Sequence, residues 1–276
     1  MFTESKMPRL HRPHEGGIVK LEGRSIFQGK AEGTVLKLKE AFSFLGGVDG
    51  STGDLRVECK ENVSGRILVF PRGKGSTVGS FTMYDLKVHN VNPAAVINRT
   101  AETIVTTGAV ISSIPMVDQI DVDLLMHNDK VFVNGTEGYI ELFDVKLIES
   151  ASSAILVNGK VLMLKRPLTT RSFPGKWSLV AGKLEPGEKP EETAVREIME
   201  ETQIKVSKPV SKLEPMLIRE NDVIWKVHLF LFKLDSADPV LNKENEEFKW
   251  VSPEDIHSPE TVSLTREAVR KLLESV

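Results

Sequence analysis

The chain has 276 residues, of which 40% are hydrophobic and 27% charged, and its formal net charge is −3. This composition is typical of globular protein and excludes a largely disordered chain. The slightly acidic balance argues against a nucleic-acid polymer as partner, because such binders normally carry a basic surface. No apolar run approaches the roughly 18 residues of a membrane span, so we expect no membrane partner.

Cysteine usage limits the metal chemistry of the chain. Cys59 is the single cysteine, which excludes an internal disulfide and fits a reducing, cytoplasmic location. An iron–sulfur cluster or a structural zinc site needs about three or four thiolate or histidine ligands close together. The six histidines are scattered along the sequence. Any iron–sulfur chemistry linked to this chain would therefore reside on another chain.

The pattern along the chain predicts two domains after a tail. Residues 1–16 are polar and are expected to form a flexible tail without a signal-peptide core. Over residues 17–146, short apolar stretches alternate with glycine turn signals, which favours strands with a few helices. Buried strands are predicted at 66–70 and 94–98, and helices at 77–88 and 102–110.

Residues 147–276 have a different pattern, in which strands alternate with two clear helices. The Asn158-Gly159 pair predicts a hairpin between strands at 154–157 and 161–165. A long strand is expected at 224–234, and helices at 190–203 and 261–275. The fold class is therefore α/β with two domains.

The strongest motif in the second domain combines a glycine loop with an acidic helix. It reads Gly182-Lys183-Leu184-Glu185-Pro186-Gly187-Glu188, then seven residues, then Arg196-Glu197-Ile198-Met199-Glu200-Glu201. Glu197, Glu200 and Glu201 stand at i, i+3 and i+4 and share one helix face. Such carboxylates repel one another unless a cation neutralises them, and hard oxygen ligands suit Mg²⁺ or Mn²⁺. The alternative is a solvated acidic face.

The opposite face of that helix is predicted to pack on a sheet through its apolar side chains. These are Val195, Ile198, Met199 and Thr202.

This motif resembles the Nudix hydrolase box from Gly182 to Ile204. The resemblance implies an α/β/α sandwich, a divalent metal and cleavage of a nucleoside diphosphate derivative. It assigns the metal to Glu197, Glu200 and Glu201 with Glu188 in support, gives Glu200 a catalytic part, and lets Arg196 orient the carboxylates. One departure is Gln203, where the family has a glycine that ends the helix in a left-handed conformation. A non-glycine residue there costs about 1 kcal/mol.

A glycine–serine loop follows the predicted strand at 66–70. It reads Pro71-Arg72-Gly73-Lys74-Gly75-Ser76-Thr77. Glycines free backbone N–H groups to approach an anion, and a helix start adds positive potential. In such a loop a serine is a candidate base, because amides and cations stabilise its alkoxide. The alternative is a tight turn with a helix-capping serine. The glycine spacing fits neither a Walker A loop nor the dinucleotide fingerprint.

The wider context of that loop resembles the small subunit of aconitase-X-type dehydratases, including archaeal phosphomevalonate dehydratases. The segments that carry the resemblance are 43–49, 65–76, 93–98, Glu102 and Ile114-Pro115. It implies a swivelling β/β/α domain that closes over a large subunit carrying the iron–sulfur cluster. It also implies dehydration of mevalonate 5-phosphate to trans-anhydromevalonate 5-phosphate in isoprenoid biosynthesis, with Ser76 as proton acceptor. Arg72, Gly73, Lys74 and Gly75 are the candidate substrate-binding residues.

The leading interpretation is a fusion of a dehydratase small subunit with a Nudix hydrolase acting on small molecules. One alternative is a Nudix enzyme with a non-catalytic N-terminal binding module, and another is a Nudix half that serves only as an adaptor. Three features are open between two roles, and a fourth, an acidic group, is predicted not to bind a metal. The Gly46-Gly47 turn either lines the cleft or only reverses the chain. Trp177 and Arg171 are candidates for substrate contact, with a core position as the alternative for Trp177. One of Glu244, Glu246 and Glu247 is a candidate general base, with a solvated acidic run as the alternative, and Asp118, Asp121 and Asp123 are predicted to form a solvated turn rather than a metal site.

Overall fold

The computed structural model describes residues 17–57, 60–170, 173–256, 260–262 and 265–276. Cys59, Arg171 and the tail expected over residues 1–16 lie outside these residues. The chain divides into two compact units, residues 1–146 and 147–276. Within the described residues, no helix combines the length and apolarity required to cross a membrane.

The first unit is built on one mixed sheet. Its strands are β1 (Ile18–Glu22), β2 (Arg24–Phe27), β3 (Lys30–Lys37), β4 (Ile67–Phe70), β5 (Ala95–Asn98), β6 (Met116–Asp118), β7 (Lys130–Asn134) and β8 (Tyr139–Phe143). Their order is β1-β8-β7-β3-β4-β5-β6-β2. The central strands β3 to β6 run parallel, whereas the flanking pairs are antiparallel. Every residue of β4 and β5 is buried, as expected for parallel strands covered on both faces.

Helices cover the parallel part of this sheet. They are the short turn α1 (Phe44–Gly47), α2 (Val78–Val88) and α3 (Thr103–Ser112), and a 3₁₀ turn follows at Val122–Leu124. Helix α2 packs on α3. Phe42, Phe44 and Phe70 form an edge-to-face aromatic cluster within the core. The predicted strands at 66–70 and 94–98 and helices at 77–88 and 102–110 are confirmed, with α3 extending to Ser112.

One expectation in this unit is wrong. Asp118 was assigned to a solvated turn, but it ends β6 and its side chain is fully buried. Its carboxylate accepts two hydrogen bonds from Arg24, at 2.9 and 2.8 Å, which satisfy the buried charge. Asp121 and Asp123 are exposed as expected, and both pair with Arg99.

The second unit is a sheet between two helices. Its strands are β9 (Lys146–Val157), β10 (Lys160–Lys165), β11 (Trp177–Ser178), β12 (Val180–Lys183), β13 (Ser211–Glu220), β14 (Val223–Leu234) and β15 (Glu247–Val251). The main order is β11-β10-β9-β14-β13, with β12 paired to β9 and β15 to β10. Helix α4 (Pro190–Thr202) packs on one face and α5 (Thr265–Glu274) on the other, and a 3₁₀ turn lies at Pro253–Asp255.

Strand β14 shows how the alternating pattern builds this sandwich. Phe230 and Phe232 join the core beneath α4, whereas Leu229 and Leu231 join the core beneath α5. Side chains of successive strand residues point to opposite faces, so one strand supplies both cores. The α/β/α sandwich implied by the Nudix resemblance is confirmed.

Three details of the second unit differ from the prediction. Strand β13 was not predicted at all. Helix α5 begins at Thr265, and Thr261 instead bridges to Trp177. In α4, Met199 is 43% exposed although it was assigned to the packed face, while Glu197 and Glu201 are buried. The core-facing side of α4 therefore carries two carboxylates.

Candidate functional site

Helix α4 begins and ends at well-defined caps. Pro190 occupies its first turn, and the Glu192 carboxylate accepts a hydrogen bond from the Lys189 amide at 3.1 Å. This closes the first turn as in a capping box, and the acidic side chains there complement the helix dipole. The helix ends at Gln203, which has φ 57° and lies in the left-handed region. The conformation expected where the family has glycine is therefore present with a glutamine.

Two carboxylates of α4 are enclosed by protein. Glu197 is 9% exposed and Glu201 is 4% exposed. Burial raises the pKa of Glu197, and it raises the pKa of Glu201 to about 8, with the nearby Glu197 charge adding to the effect. The Asn245 side-chain amide donates to Glu201 Oε2 at 3.0 Å. The motif did not predict this contact, because Asn245 lies 44 residues after Glu201 in the chain.

Gly182 makes room for Glu197. A Cβ atom placed on Gly182 would lie 1.8 Å from Glu197 Cδ and 1.8 Å from its Oε1. Gly182 belongs to β12, and its neighbour in the sheet is Ala151. The first glycine of the motif therefore lets helix α4 bring a carboxylate against the strand.

Arg196 joins the remaining carboxylates. Its guanidinium donates twice to Glu188 at 2.9 Å, once to Glu197 at 2.7 Å and once to Glu200 at 3.1 Å. The same group donates to the Lys183 carbonyl at 3.1 Å, which ties α4 to β12. This hydrogen bonding lowers the pKa of Glu188 to about 2. Three of the four predicted carboxylates, Glu188, Glu197 and Glu200, thus surround Arg196, whereas Glu201 is bonded to Asn245.

The donor set suits a hard cation in its chemistry. Among the residues that the structure describes, no three His, Cys, Asp or Glu side chains are arranged to hold a metal ion. Arg196 itself pairs with Glu188, Glu197 and Glu200. The carboxylates of Glu197 and Glu201 are nevertheless both buried, and burial makes their negative charge costly. A divalent cation bound to their oxygens would offset this desolvation cost. The donor types are therefore those that a hard divalent cation prefers.

A cavity of about 300 Å³ opens beside this motif. Gly182 and Lys183 form the side nearest the carboxylates, and Met216, Trp225 and Val227 contribute an apolar wall. Trp225 Nε1 is buried and has no hydrogen-bond partner among the described residues. The volume lies at the lower end of the roughly 300–1,000 Å³ typical of small-molecule pockets.

The aromatic and acidic side chains that the sequence left open have separate environments. Trp177 packs against the core beneath α5, and the Lys249 ammonium lies 3.9 Å from its ring centroid. Glu244, Glu246 and Glu247 are exposed, and Asn245 between them is buried. Trp225, rather than Trp177, is the tryptophan that lines the cavity.

In the first unit, close packing shapes the glycine–serine loop. A Cβ on Gly73 would lie 2.5 Å from both Glu102 Oε1 and Val105 Cγ2. Gly75 has φ 109°, and a Cβ there would lie 2.6 Å from Ser43 Oγ. Both positions therefore require glycine. Glu102 Oε1 is buried without a hydrogen-bond partner among the described residues, a feature that its sequence position did not indicate.

Ser76 stands exposed at the end of this loop, immediately before α2. Its Oγ accepts a long hydrogen bond of 3.4 Å from the Val78 amide. The N-cap of α2 is Thr77, whose side chain makes no capping hydrogen bond, so Ser76 lies one residue before the cap. The Val78 amide points to Ser76 Oγ, where a donor favours negative charge on the oxygen. Arg72 and Lys74 are exposed beside it. The contact of Ser43 with Gly75 brings the segment that precedes Gly46 against the same loop.

Both units match known families. The model for the aconitase X swivel domain matches residues 20–142, and the model for the NUDIX domain matches residues 148–272. The chain is similar to the phosphomevalonate dehydratase small subunit of Thermococcus kodakarensis, with 51% identity over 130 residues, which is 46% of this chain and 98% of the relative. The small subunit of the same name from Methanosarcina mazei is 51% identical over 132 residues, covering 45% of this chain and 91% of the relative. The crystal structure of MutT protein from Methanosarcina mazei Go1 is 25% identical with a TM-score of 0.44, covering 48% of this chain and 97% of that protein.

Proposed function

Since the chain belongs to the aconitase X swivel family through residues 20–142 and is a Nudix domain over residues 148–272, we propose that it serves two reactions. Its first unit is the small subunit of a hydro-lyase that converts mevalonate 5-phosphate to trans-anhydromevalonate 5-phosphate. Its second unit is a divalent-metal-dependent hydrolase of a nucleoside diphosphate derivative. The relatives are named small subunits, which implies a large-subunit partner.

Exposed Ser76 carries the dehydratase proposal. In this reaction Ser76 Oγ, as the alkoxide, takes a proton from the substrate carbon, the carbon–carbon double bond forms, and the bond to the neighbouring hydroxyl breaks. The departing hydroxide takes a proton from solvent to become water, and Ser76 returns its proton to solvent, so the net change is the loss of one water. The Val78 amide stabilises the alkoxide, and Arg72 and Lys74 hold substrate phosphate or carboxylate. An iron–sulfur cluster on the large subunit would supply Lewis acidity for the leaving hydroxyl, and this chain, with a single cysteine, lacks the thiolates to ligate such a cluster by itself.

The dehydratase proposal is tested by co-expressing the chain with a cluster-bearing large subunit and measuring dehydration of mevalonate 5-phosphate. We expect no reaction with this chain alone and full reaction with the complex. Loss of a general base costs about 10²–10⁴-fold, so Ser76→Ala should lose most of the activity while still binding the partner. Ser64→Ala is the matched control, because Ser64 is an exposed serine outside the loop. An active Ser76→Ala complex would refute the assignment, and an inactive wild-type complex would favour a non-catalytic N-terminal module.

The acidic helix carries the Nudix proposal. Glu188, Glu197, Glu200 and Glu201 would hold Mg²⁺ or Mn²⁺, which supplies charge neutralisation and polarisation of the diphosphate when bound. Arg196 holds Glu188, Glu197 and Glu200 close together through its hydrogen bonds. Glu200 is the most exposed of the four and would accept the proton of the attacking water. The cavity next to Gly182 would receive the group attached to the diphosphate.

Hydrolysis of a panel of nucleoside diphosphate derivatives by the full chain tests this second activity. We expect turnover that requires Mg²⁺ or Mn²⁺ and that falls at least 100-fold in Glu200→Gln. Glu191→Gln is the control, since Glu191 lies on the same helix and pairs with Lys212 outside the motif. Equal rates with and without the metal, or an unaffected Glu200→Gln enzyme, would contradict the proposal.

A further inference from the structure

Helix α2 exposes a row of apolar side chains to solvent. Its core-facing residues are buried, as expected for an amphipathic helix. The outward face, however, carries large apolar groups at Val78, Phe81, Tyr84 and Val88, exposed by 47, 69, 48 and 56%. With about 100° between successive residues, these four lie within roughly one third of the helix circumference. A helix face that points to water is normally polar, so this row is unusual.

A fifth apolar side chain extends the row toward the glycine–serine loop. Leu45 is 46% exposed, and its amide nitrogen lies 3.7 Å from the Cβ position of Gly79 at the start of α2. Asp85 lies on the same face, where its carboxylate pairs with His89 at 3.2 Å. The five apolar side chains are called the α2 patch below; they are Leu45, Val78, Phe81, Tyr84 and Val88.

The α2 patch is large enough to be the centre of a subunit interface. Phe81 and Tyr84 alone expose roughly 230 Å², taking about 200 Å² for an aromatic side chain. With the three aliphatic neighbours, the area reaches the upper range of apolar patches on monomeric proteins, about 300–600 Å². A standard interface buries about 800 Å² on each partner, and aromatic residues are enriched at its centre.

We propose that the α2 patch docks the cluster-bearing large subunit, an inference that rests on the dehydratase function proposed above. A base must come within about 3 Å of the proton that it takes. Because the substrate reacts at a cluster on the other chain, that chain must cover Ser76. Val78 follows Ser76 by two residues, and the patch continues along α2 for about 15 Å at 1.5 Å per residue.

The footprint of a partner over Ser76 therefore includes the patch. An interface of about 800 Å² per partner is roughly 32 Å across, which spans the loop and the whole length of α2. The partner surface is expected to be apolar opposite Phe81 and Tyr84, whereas Arg72 and Lys74, which are exposed on the loop, are left to the substrate. A second copy of this chain on the same patch would instead keep the large subunit away from Ser76.

The test compares partner binding by the full wild-type chain and by Phe81→Glu/Tyr84→Glu, with Phe81→Ala as a milder variant. The matched control is Ile18→Glu, because Ile18 is 55% exposed on β1, four strands away from β4 in the sheet. We expect Kd for the large subunit to rise at least 100-fold in the double variant and about tenfold in Phe81→Ala, with Ile18→Glu unchanged. Dehydration by the double variant should recover when the large subunit is supplied in excess, because Ser76 is intact.

The outcomes separate this inference from the function on which it rests. If the wild-type chain binds the large subunit and the double variant binds equally well, the patch assignment is wrong while the function stands. If the wild-type chain does not bind the large subunit, both fail. If sedimentation shows that the wild-type chain self-associates and only this self-association is lost in the double variant, the patch joins two copies and the proposal is overturned.

Discussion

Substituting Gly182 by alanine should disable hydrolysis without unfolding the second unit. The added methyl carbon would lie 1.8 Å from Glu197 Cδ, whereas ordinary contacts begin near 3.4 Å. The carboxylate must therefore move by about 1.5 Å, and displacement of a reacting geometry by about 1 Å costs on the order of 100-fold in rate. The clash involves the end of a flexible side chain, so the strand itself can remain.

The stability change of Gly182→Ala should stay small. The variant loses the 2.7 Å contact between Arg196 and Glu197, but alanine is favoured over glycine within a strand by roughly 0.5–1 kcal/mol. We expect kcat to fall about 100-fold and the free energy of unfolding to change by less than about 1 kcal/mol.

Steady-state hydrolysis with Mg²⁺ and urea unfolding measure these two quantities for Gly182→Ala. Gly79→Ala is the control for the substitution itself, because a Cβ on Gly79 meets its nearest neighbour, in Ile104, at 3.4 Å. A folded Gly182→Ala protein with wild-type turnover would refute the view that Glu197 must lie against β12.

Three further predictions concern stability. Gln203→Gly removes the cost of a left-handed conformation, about 1–2 kcal/mol, but the added freedom of glycine in the unfolded chain costs about 0.4–1 kcal/mol. The free energy of unfolding of the second unit, measured in urea, should therefore rise by about 0.5 kcal/mol. A decrease would contradict backbone strain at φ 57°. Asp118→Ala removes a fully buried carboxylate that accepts hydrogen bonds from Arg24 and from the Ala101 amide, so denaturant unfolding should show the first unit destabilised by about 1–3 kcal/mol. An unchanged free energy of unfolding would argue against a role for these hydrogen bonds. The hydrogen bond with His228 lowers the pKa of Glu149 in the folded protein. The stability that ionised Glu149 contributes is therefore present above its unfolded pKa of about 4.3 and is lost as pH falls through the lower folded value. The Tm of the wild type should fall more steeply below about pH 4 than the Tm of Glu149→Gln, and parallel curves would contradict this pairing.

The sequence predicted correctly those helices, strands and turns whose local residue pattern is not interrupted. The Asn158-Gly159 turn, the periodic helix at 190–202 and the buried strands β4 and β5 all appear as expected. Strand β13 was missed because Pro215 interrupts its alternation, and proline is unusual within a strand. In the structure the register of β13 against β14 shifts between Leu213 and Met216, which is how the strand accommodates the proline.

The identity of the site residues was easier to predict than their surroundings. Spacing alone put Glu197, Glu200 and Glu201 on one helix face, but helical periodicity cannot say which face meets the sheet when both carry a carboxylate or an apolar group. Burial of Glu201 depends on Asn245, which approaches from a distant segment. Long-range contacts of this kind leave no periodic trace in the sequence.

The glycines of the two motifs share a role that neither pattern indicated. Gly73 belongs to a loop predicted to approach an anion, and Gly182 is a fixed position of the acidic motif, yet each glycine leaves space for a carboxylate of its own unit, Glu102 in the first case and Glu197 in the second. Each of these acids has at least one oxygen held in a buried position where charge is costly. The missing Cβ of each glycine therefore fixes where its unit can place a carboxylate. By that reasoning Glu102, which lies against the loop of Ser76, is placed by Gly73 as firmly as Glu197 is placed by Gly182.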